Sequence, residues 1–492
     1  MKEHRRRTSR GAADIGAVVG ARAAPAPSAL TLREAATFAV VATGAFMVVL
    51  DFFIVLVALP SIARDLQATH AQLQLVVAGY AIANAAGLIA GGRCGDIWGR
   101  KRMFLLGMAL FSLASAGCAA AGSAAALVAW RIAQGAAGAL LQPQVLALLN
   151  AGFEGAKRVR LFGYYAVAMG LGGVAGQAIG GALIEAAPLG LSWEWCFLIN
   201  IPLGLAALAA GAVLLRESPT GAAEPTDWSG LFTATLAIVL LVLPLTYGRE
   251  AFAGLANAAL LAASAACAAL FLLQQAGRRG RGQPHLLRRP LLEAPGFVRG
   301  AITVLVFYGG LASYYFVLGM HLQTALQLSP LDSGLAFGLL GCGFMAASAN
   351  ASRLNAALGR RQVWAGSLVL LAGHLLQLLA AVAHGPLGLL LAAVVVEGIG
   401  IGMVMAPLVA LALAGVPGSE AGLASGIVAT MQSTGNAVGV ALVTTIYFLS
   451  GGADPTRGAS EARGFAVALG VLSVLTLVVM WQARALARRP GR

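Results

Sequence analysis

Four ionisable side chains stand inside long apolar runs of this chain: Asp51, Arg131, His374 and Glu397. Charge in a bilayer interior is costly unless it is paired or hydrated, so each is a functional candidate by position alone. A carboxylate placed there is a natural proton carrier. Desolvation favours its neutral form, and a nearby cation favours the charged one. Asp51 is therefore expected to carry a proton, with movement of Arg131 toward or away from it deciding when the proton is held. A static pair that only supports packing is the alternative. Glu397 is a second candidate, for protons or for a cationic substrate, and a structural role is equally open to it. His374 reads as a membrane histidine satisfied by its neighbours. At about 1.5 Å per residue, Asp51, His374 and Glu397 lie roughly 13–15 Å, and Arg131 roughly 9 Å, from one common end of their helices. The four are thus expected in one layer, in the outer half of a membrane.

The elements that must position them are long helices. A membrane span takes about 20 mostly apolar residues, and fourteen such stretches can be marked between residues 35 and 482. They are too long, and too continuously apolar, for barrel strands. Outside the spans, nearly every Lys and Arg falls in alternate gaps, with only Arg64, Arg249, Arg457 and Arg463 in the others. That asymmetry orients the chain with both termini in the cytoplasm. The expected order is a basic cytoplasmic tail (1–34), a six-helix half (35–215), a linker (216–228) and two additional helices (229–275). A basic linker (276–299), a second six-helix half (300–482) and a short tail (483–492) follow. An internal echo supports two halves: Gly99-Arg100-Lys101 after span two recurs as Gly359-Arg360-Arg361 after span ten, an offset of 260 residues. Paired halves around a site near the midplane are a transporter plan.

Composition excludes several other classes. The chain is 59% hydrophobic and 11% charged, far below the roughly 25% of a soluble domain. Its net charge of +14 follows topology rather than forming a compact basic surface, which argues against a nucleic-acid partner. Cys94, Cys118, Cys196, Cys267 and Cys342 are scattered, as are the histidines, so neither a metal site nor a cofactor is expected. No nucleophile–base pair and no Gly-rich Lys-Ser/Thr loop stands in a polar segment, so neither an enzyme nor an ATP-driven pump is expected. Nothing sets an oligomeric state, and a monomer suffices for this plan.

Several motifs carry a family resemblance. The run Gly92-x3-Asp96-x2-Gly99-Arg100-Lys101 resembles the cytoplasmic loop motif of the major facilitator superfamily, with Ile97 where a basic residue is usual. Span five holds Gly163, Gly172, Gly176-Gln177 and Gly180-Gly181, similar to the glycine motif of drug antiporters, with Gln177 in place of the usual Pro. Such spacing leaves a face nearly free of side chains, on which a neighbour packs closely. At the entry to span six, Trp193-Glu194-Trp195-x-Phe197-x2-Asn200-x-Pro202 resembles an element of the fourteen-helix drug:proton antiporters of the EmrB/QacA type, with Glu194 for Arg. The two tryptophans suit an interfacial anchor. Leu50-Asp51 through Ala58-Leu59-Pro60, Arg131-x2-Gln134-Gly135 and Ala421-Gly422-x-Ala424-Ser425-Gly426 are also similar to that family.

The resemblance covers the chain from span one onward. It implies an all-α, polytopic major facilitator fold with fourteen transmembrane helices in a bacterial inner membrane. It further implies a proton-coupled exporter of amphipathic or cationic compounds working by alternating access, with Asp51 and Arg131 in proton coupling and the Gly92–Lys101 loop as a cytoplasmic latch. A symporter or facilitator for a defined metabolite is the alternative. Glu397, Gln134, Tyr308 and Tyr315 are the substrate-contact candidates, the tyrosines because they share a helical face seven residues apart in an aromatic-rich span.

Overall fold

The computed structural model describes residues 30–153, 155–217, 227–247, 254–383, 385–417, 420–451 and 458–487. Residues 1–29 of the expected tail (1–34) and the greater part of the 216–228 linker fall outside the described residues, and the first helix begins within the expected tail, at Leu32.

The helices that matter are α1 Leu32–Asp65, α2 His70–Trp98, α3 Arg100–Ala119, α4 Ala124–Gly152, α5 Gly155–Ala186 and α6 Asn200–Leu214. Next come α7 Trp228–Tyr247, α8 Gly254–Gly280, α9 Phe297–Met320 and α10 Pro330–Ala349. Last are α11 Gln362–Val382, α12 Leu387–Leu413, α13 Ala421–Leu449 and α14 Gly458–Ala487. Among the described residues thirteen helices are long and apolar enough to cross a membrane. The glycine-rich α5, 32 residues long, stands between the fourth and fifth of them. The chain is thus an all-α, polytopic protein, as its hydropathy requires.

Helix limits exceed the apolar limits at several ends. α1 starts at Leu32, fixed by a capping box in which Thr31 and Glu34 satisfy each other's backbone amides. α8 runs to Gly280, carrying Arg278 and Arg279 in its last turn where cations favour the helix dipole. α9 starts at Phe297 and α14 continues to Ala487. Apolar length measures the bilayer; backbone hydrogen bonding continues past it.

Packing repeats at an interval of eight helices. α1 lies on α5 and α6 as α9 lies on α13 and α14; α4 bridges α2 and α3 as α12 bridges α10 and α11. Two seams join the halves, α5 against α10 and α2 against α13, and these are also equivalents. The echoed loop has a shared backbone cause: Gly99 and Gly359 both take positive φ, at 97° and 51°, where a side chain would be strained.

The first seam is built on glycine. A Cβ on Gly176 would stand 3.0 Å from the Leu50 carbonyl of α1, and one on Gly180 2.7 Å from Ile54. Gly181 faces α10 instead, directly against the Pro330 carbonyl, while Gly334 of α10 returns the contact to the Gln177 carbonyl at 2.6 Å. α5 therefore presents glycine to both halves at once. Gln177 is fully buried at this seam, and neither its amide nitrogen nor its oxygen has a partner among the described residues.

The second seam is knitted by α7. Val242 is fully buried among Ala78 and Ala81 of α2 and Ala437 and Ala441 of α13. Thr445 of α13 donates to the Leu245 carbonyl at 2.7 Å and accepts from Gln74 of α2 at 3.3 Å. α8 packs on α7, and only 6% of its apolar stretch is buried, so most of it is left for lipid.

Candidate functional site

The four buried charges form two separate pairs, one in each half. In the first, Arg131 of α4 donates from Nη1 to Asp51 Oδ2 of α1 at 2.5 Å, with both side chains fully buried. Arg131 Nε donates to the Val76 carbonyl at 3.0 Å, and its guanidinium lies 4.3 Å from the centre of the Tyr80 ring. A guanidinium spreads its charge and offers several donors in one plane, which lets it serve a carboxylate, a carbonyl and an aromatic face together.

Asp51 keeps two further donors. Gln134, one turn beyond Arg131, donates from Nε2 to Asp51 Oδ1 at 2.7 Å, and Asn200 at the start of α6 donates to the same oxygen at 2.8 Å. Both also donate to Ser115 Oγ of α3, at 2.7 and 3.3 Å. Gln134 Oε1 accepts from Arg131 at 2.6 Å. Gln134, expected as a substrate contact, is therefore occupied with Asp51 and is fully buried. Sequence reasoning missed Ser115 and gave Asn200 no role, although Asn200 is the one polar side chain in the Phe197–Pro202 element. The arrangement points three donors at the Asp51 carboxyl, and a proton added there would remove the counter-charge of Arg131.

The second pair joins His374 of α11 to Glu397 of α12, Nε2 to Oε1 at 2.9 Å, with side chains 3% and 2% exposed. Thr476 of α14 stands 3.5 Å from His374 Nδ1. Tyr314 of α9 has its ring centre 5.8 Å from that of His374 and donates to Gln377 at 3.1 Å. His374 is satisfied, as expected, but its partner is the other charged candidate.

The tyrosines sit at different boundaries. Tyr315 stacks on Phe337 of α10 at 5.4 Å and meets Phe53 of α1 at 4.8 Å, bridging the halves. Close by, Gln323 donates to the Val57 carbonyl of α1 at 2.9 Å. Tyr308 is buried against Phe307, with ring centres 5.5 Å apart.

Several contacts of the loop motif lie in its own half. Asp96 pairs with Arg100 at 3.2 Å and Arg93 at 3.7 Å. The start of α3 is capped from a distance: Glu217, just past α6, accepts from the Lys101 and Arg102 amides at 2.9 and 3.3 Å. Lys101 Nζ returns a bond to the Ala212 carbonyl at 2.7 Å. Gly92 has room for a methyl, its nearest neighbour being Pro143 at 3.6 Å, whereas Gly95 is pressed against Gln144. Trp193 is buried and donates to Asp65 at the end of α1 at 2.9 Å, so it ties α6 to α1 instead of anchoring in the interface. Among the described residues no group of His, Cys, Asp and Glu is arranged to hold a metal.

Known proteins share this plan. A profile of the Major Facilitator Superfamily matches residues 41–285 and 300–492. The probable actinorhodin transporter of Streptomyces coelicolor is 34% identical over 461 residues, covering 92% of this chain and 79% of its own. The cephamycin export protein CmcT of Amycolatopsis lactamdurans is 32% identical over 90% of this chain and 92% of its own. Among solved structures, the D-xylose–proton symporter superposes with a TM-score of 0.66 at 17% identity, over 91% of this chain and 97% of that one, a likeness of fold alone. With relatives matched over 79% and 92% of their own length and a profile spanning both halves, this chain is a multi-pass membrane transporter belonging to the major facilitator superfamily.

Proposed function

We propose that the chain is a proton-coupled antiporter of the fourteen-helix drug:proton type, exporting amphipathic or cationic compounds from the cytoplasm across the bacterial inner membrane by alternating access. The observation that carries this is the fully buried Asp51–Arg131 pair. An ion pair sealed from water costs desolvation that packing alone does not require, and its carboxylate is placed to exchange a proton when α1 and α4 shift. The names of the relatives, antibiotic transporters and export or resistance proteins, support a similar substrate class.

In this reading the halves are residues 35–215 and 300–482, both termini are cytoplasmic, and α7 and α8 are an added hairpin. Asp51 carries the proton, Arg131 governs it, and Gln134 and Asn200, themselves tied to Ser115, hold the carboxylate between turnovers. The Gly92, Asp96, Gly99, Arg100 and Lys101 loop gates the cytoplasmic side. Gly172, Gly176, Gln177, Gly180 and Gly181 form the surface on which the halves rock. Tyr308 and Tyr315, with Phe53 beside the latter, supply aromatic contact to a substrate between the halves.

Two experiments test it. Expression in a pump-deficient bacterium raises the inhibitory concentration of amphipathic or cationic compounds, and a protonophore cancels the gain. In proteoliposomes with an imposed pH gradient, Asp51→Asn abolishes proton-driven transport; transport equal to the parent rejects the role of Asp51. Substrate movement in the same direction as the proton would instead mark a symporter.

A further inference from the structure

The cluster around His374–Glu397 draws on the helices of the second half that correspond to those around Asp51–Arg131 in the first, although its charged pair joins α11 to α12 where the first joins α1 to α4. The first cluster draws on α1, α3, α4 and α6 through Asp51, Ser115, Arg131 with Gln134, and Asn200. The second draws on α9, α11, α12 and α14 through Tyr314, His374 with Gln377, Glu397 and Thr476. Helix by helix these are the partners related by the eight-helix repeat.

The second cluster is equipped differently. Glu397 Oε2 has no partner among the described residues. It lies directly against the Cα of Gly373, where any Cβ would strike it. A cavity of about 20 Å³ opens beside the pair, lined by His374, Glu397, Tyr314 and Thr476 among apolar side chains. That is room for one water. The ionisable groups facing it are Tyr314 from α9, His374 from α11 and Glu397 itself; α14 offers only the neutral Thr476. The cavity therefore contains no guanidinium or ammonium to fix the charge of Glu397.

From this geometry we propose that His374 and Glu397 form a second proton-binding centre, which exchanges its proton through the water-sized cavity that both residues line. This rests on the reading of the chain as a proton-coupled transporter. It resolves the role of Glu397, which serves protons and does not contact the exported compound. The two centres have opposite resting states. Asp51 with Arg131 sums to zero charge when no proton is bound. His374 with Glu397 sums to zero when one proton is bound, as imidazolium–carboxylate or as imidazole–carboxylic acid. A low-dielectric interior favours the neutral state in each case. The first half thus waits for a proton and the second holds one, which sets the ceiling of coupling at two protons per turnover.

Infrared difference spectroscopy of the purified full chain in lipid, recorded across a pH series, tests this without a substrate. The parent is expected to show two titrating carboxyl bands, each in the protonated-carboxyl or the carboxylate region. Asp51→Asn removes one, Glu397→Gln removes the other, and Glu397→Asp keeps a band. His374→Gln moves the midpoint of the Glu397 band by about one pH unit or more, as loss of an adjacent charge partner does, and leaves the Asp51 band in place. A Glu397→Gln spectrum equal to the parent's, with Asp51→Asn still deleting its band, overturns the second centre and leaves the proposed function standing. An unchanged Glu397 band in His374→Gln also overturns it, since a pair that merely packs would behave in that way. Loss of no band in either carboxylate variant removes the proton-coupled reading as well.

Discussion

Replacing Asp51 by Asn keeps the shape of the first cluster and changes its charge. The retained oxygen can still accept from Gln134 and Asn200, but the new amide group faces Arg131 Nη1, donor against donor, where Oδ2 now lies at 2.5 Å. Arg131 Nη2 already lacks a partner among the described residues, so the guanidinium would keep only the Val76 carbonyl, Gln134 and the Tyr80 ring. Breaking a buried pair from one side costs about 3–5 kcal/mol. Arg131→Gln strands the carboxylate and is expected to cost as much. The double variant buries neither charge, and a neutral replacement of a buried pair is often close to neutral in stability. Unfolding free energies measured in mixed micelles for the parent, both single variants and the double should therefore be non-additive, with the double no worse than either single and a coupling at least as large as one single cost, about 3 kcal/mol or more. Additivity within about 0.5 kcal/mol would mean the charges do not sense each other. A costless Asp51→Asn would mean that this conformation already carries the proton on Asp51.

Gln177→Met removes an amide that is buried at the α5–α10 seam with both polar atoms unpartnered among the described residues; it should raise the thermal midpoint in detergent, worth about 1–3 kcal/mol. Gly181→Val forces side-chain carbons into the Pro330 carbonyl of the other half. It should lower stability by about 1–3 kcal/mol and reduce transport, whereas Gly92→Ala, with 3.6 Å of clearance, should match the parent in stability.

The charges were the legible part of the site, because a charge inside an apolar run stands out one residue at a time. Their partners were not. Ser115 and Asn200 are small polar groups of a kind that membrane helices carry at little cost, and only the convergence of α1, α3, α4 and α6 gives them meaning. Gln134 was visible but assigned to substrate, since spacing along α4 shows its face and not the oxygen waiting on α1. His374 and Glu397 lie at similar depths measured from the same end of consecutive, antiparallel helices, and that coincidence of depth is a signal of their pairing that spacing alone carries. The glycine face of α5 was legible as a packing surface; that it serves two neighbours at once depends on how the halves meet. The repeat after span ten pointed to the pseudo-symmetry, and the positive φ of both Gly99 and Gly359 gives the reason those glycines recur.

The α7–α8 hairpin makes the two seams unequal as seen from the bilayer. By the repeat alone, a greasy molecule diffusing in the leaflet would meet the same pair of helices on either flank. Here, among the described residues, no added helix packs over α5 and α10 on one flank, while on the other Val242 closes the line between α2 and α13 and α8 stands behind it. The molecule therefore has a front and a back within the plane of the membrane. Any side entrance opened by rocking the halves apart can serve the leaflet on the α5–α10 flank, and on the opposite flank it would have to carry the hairpin with it.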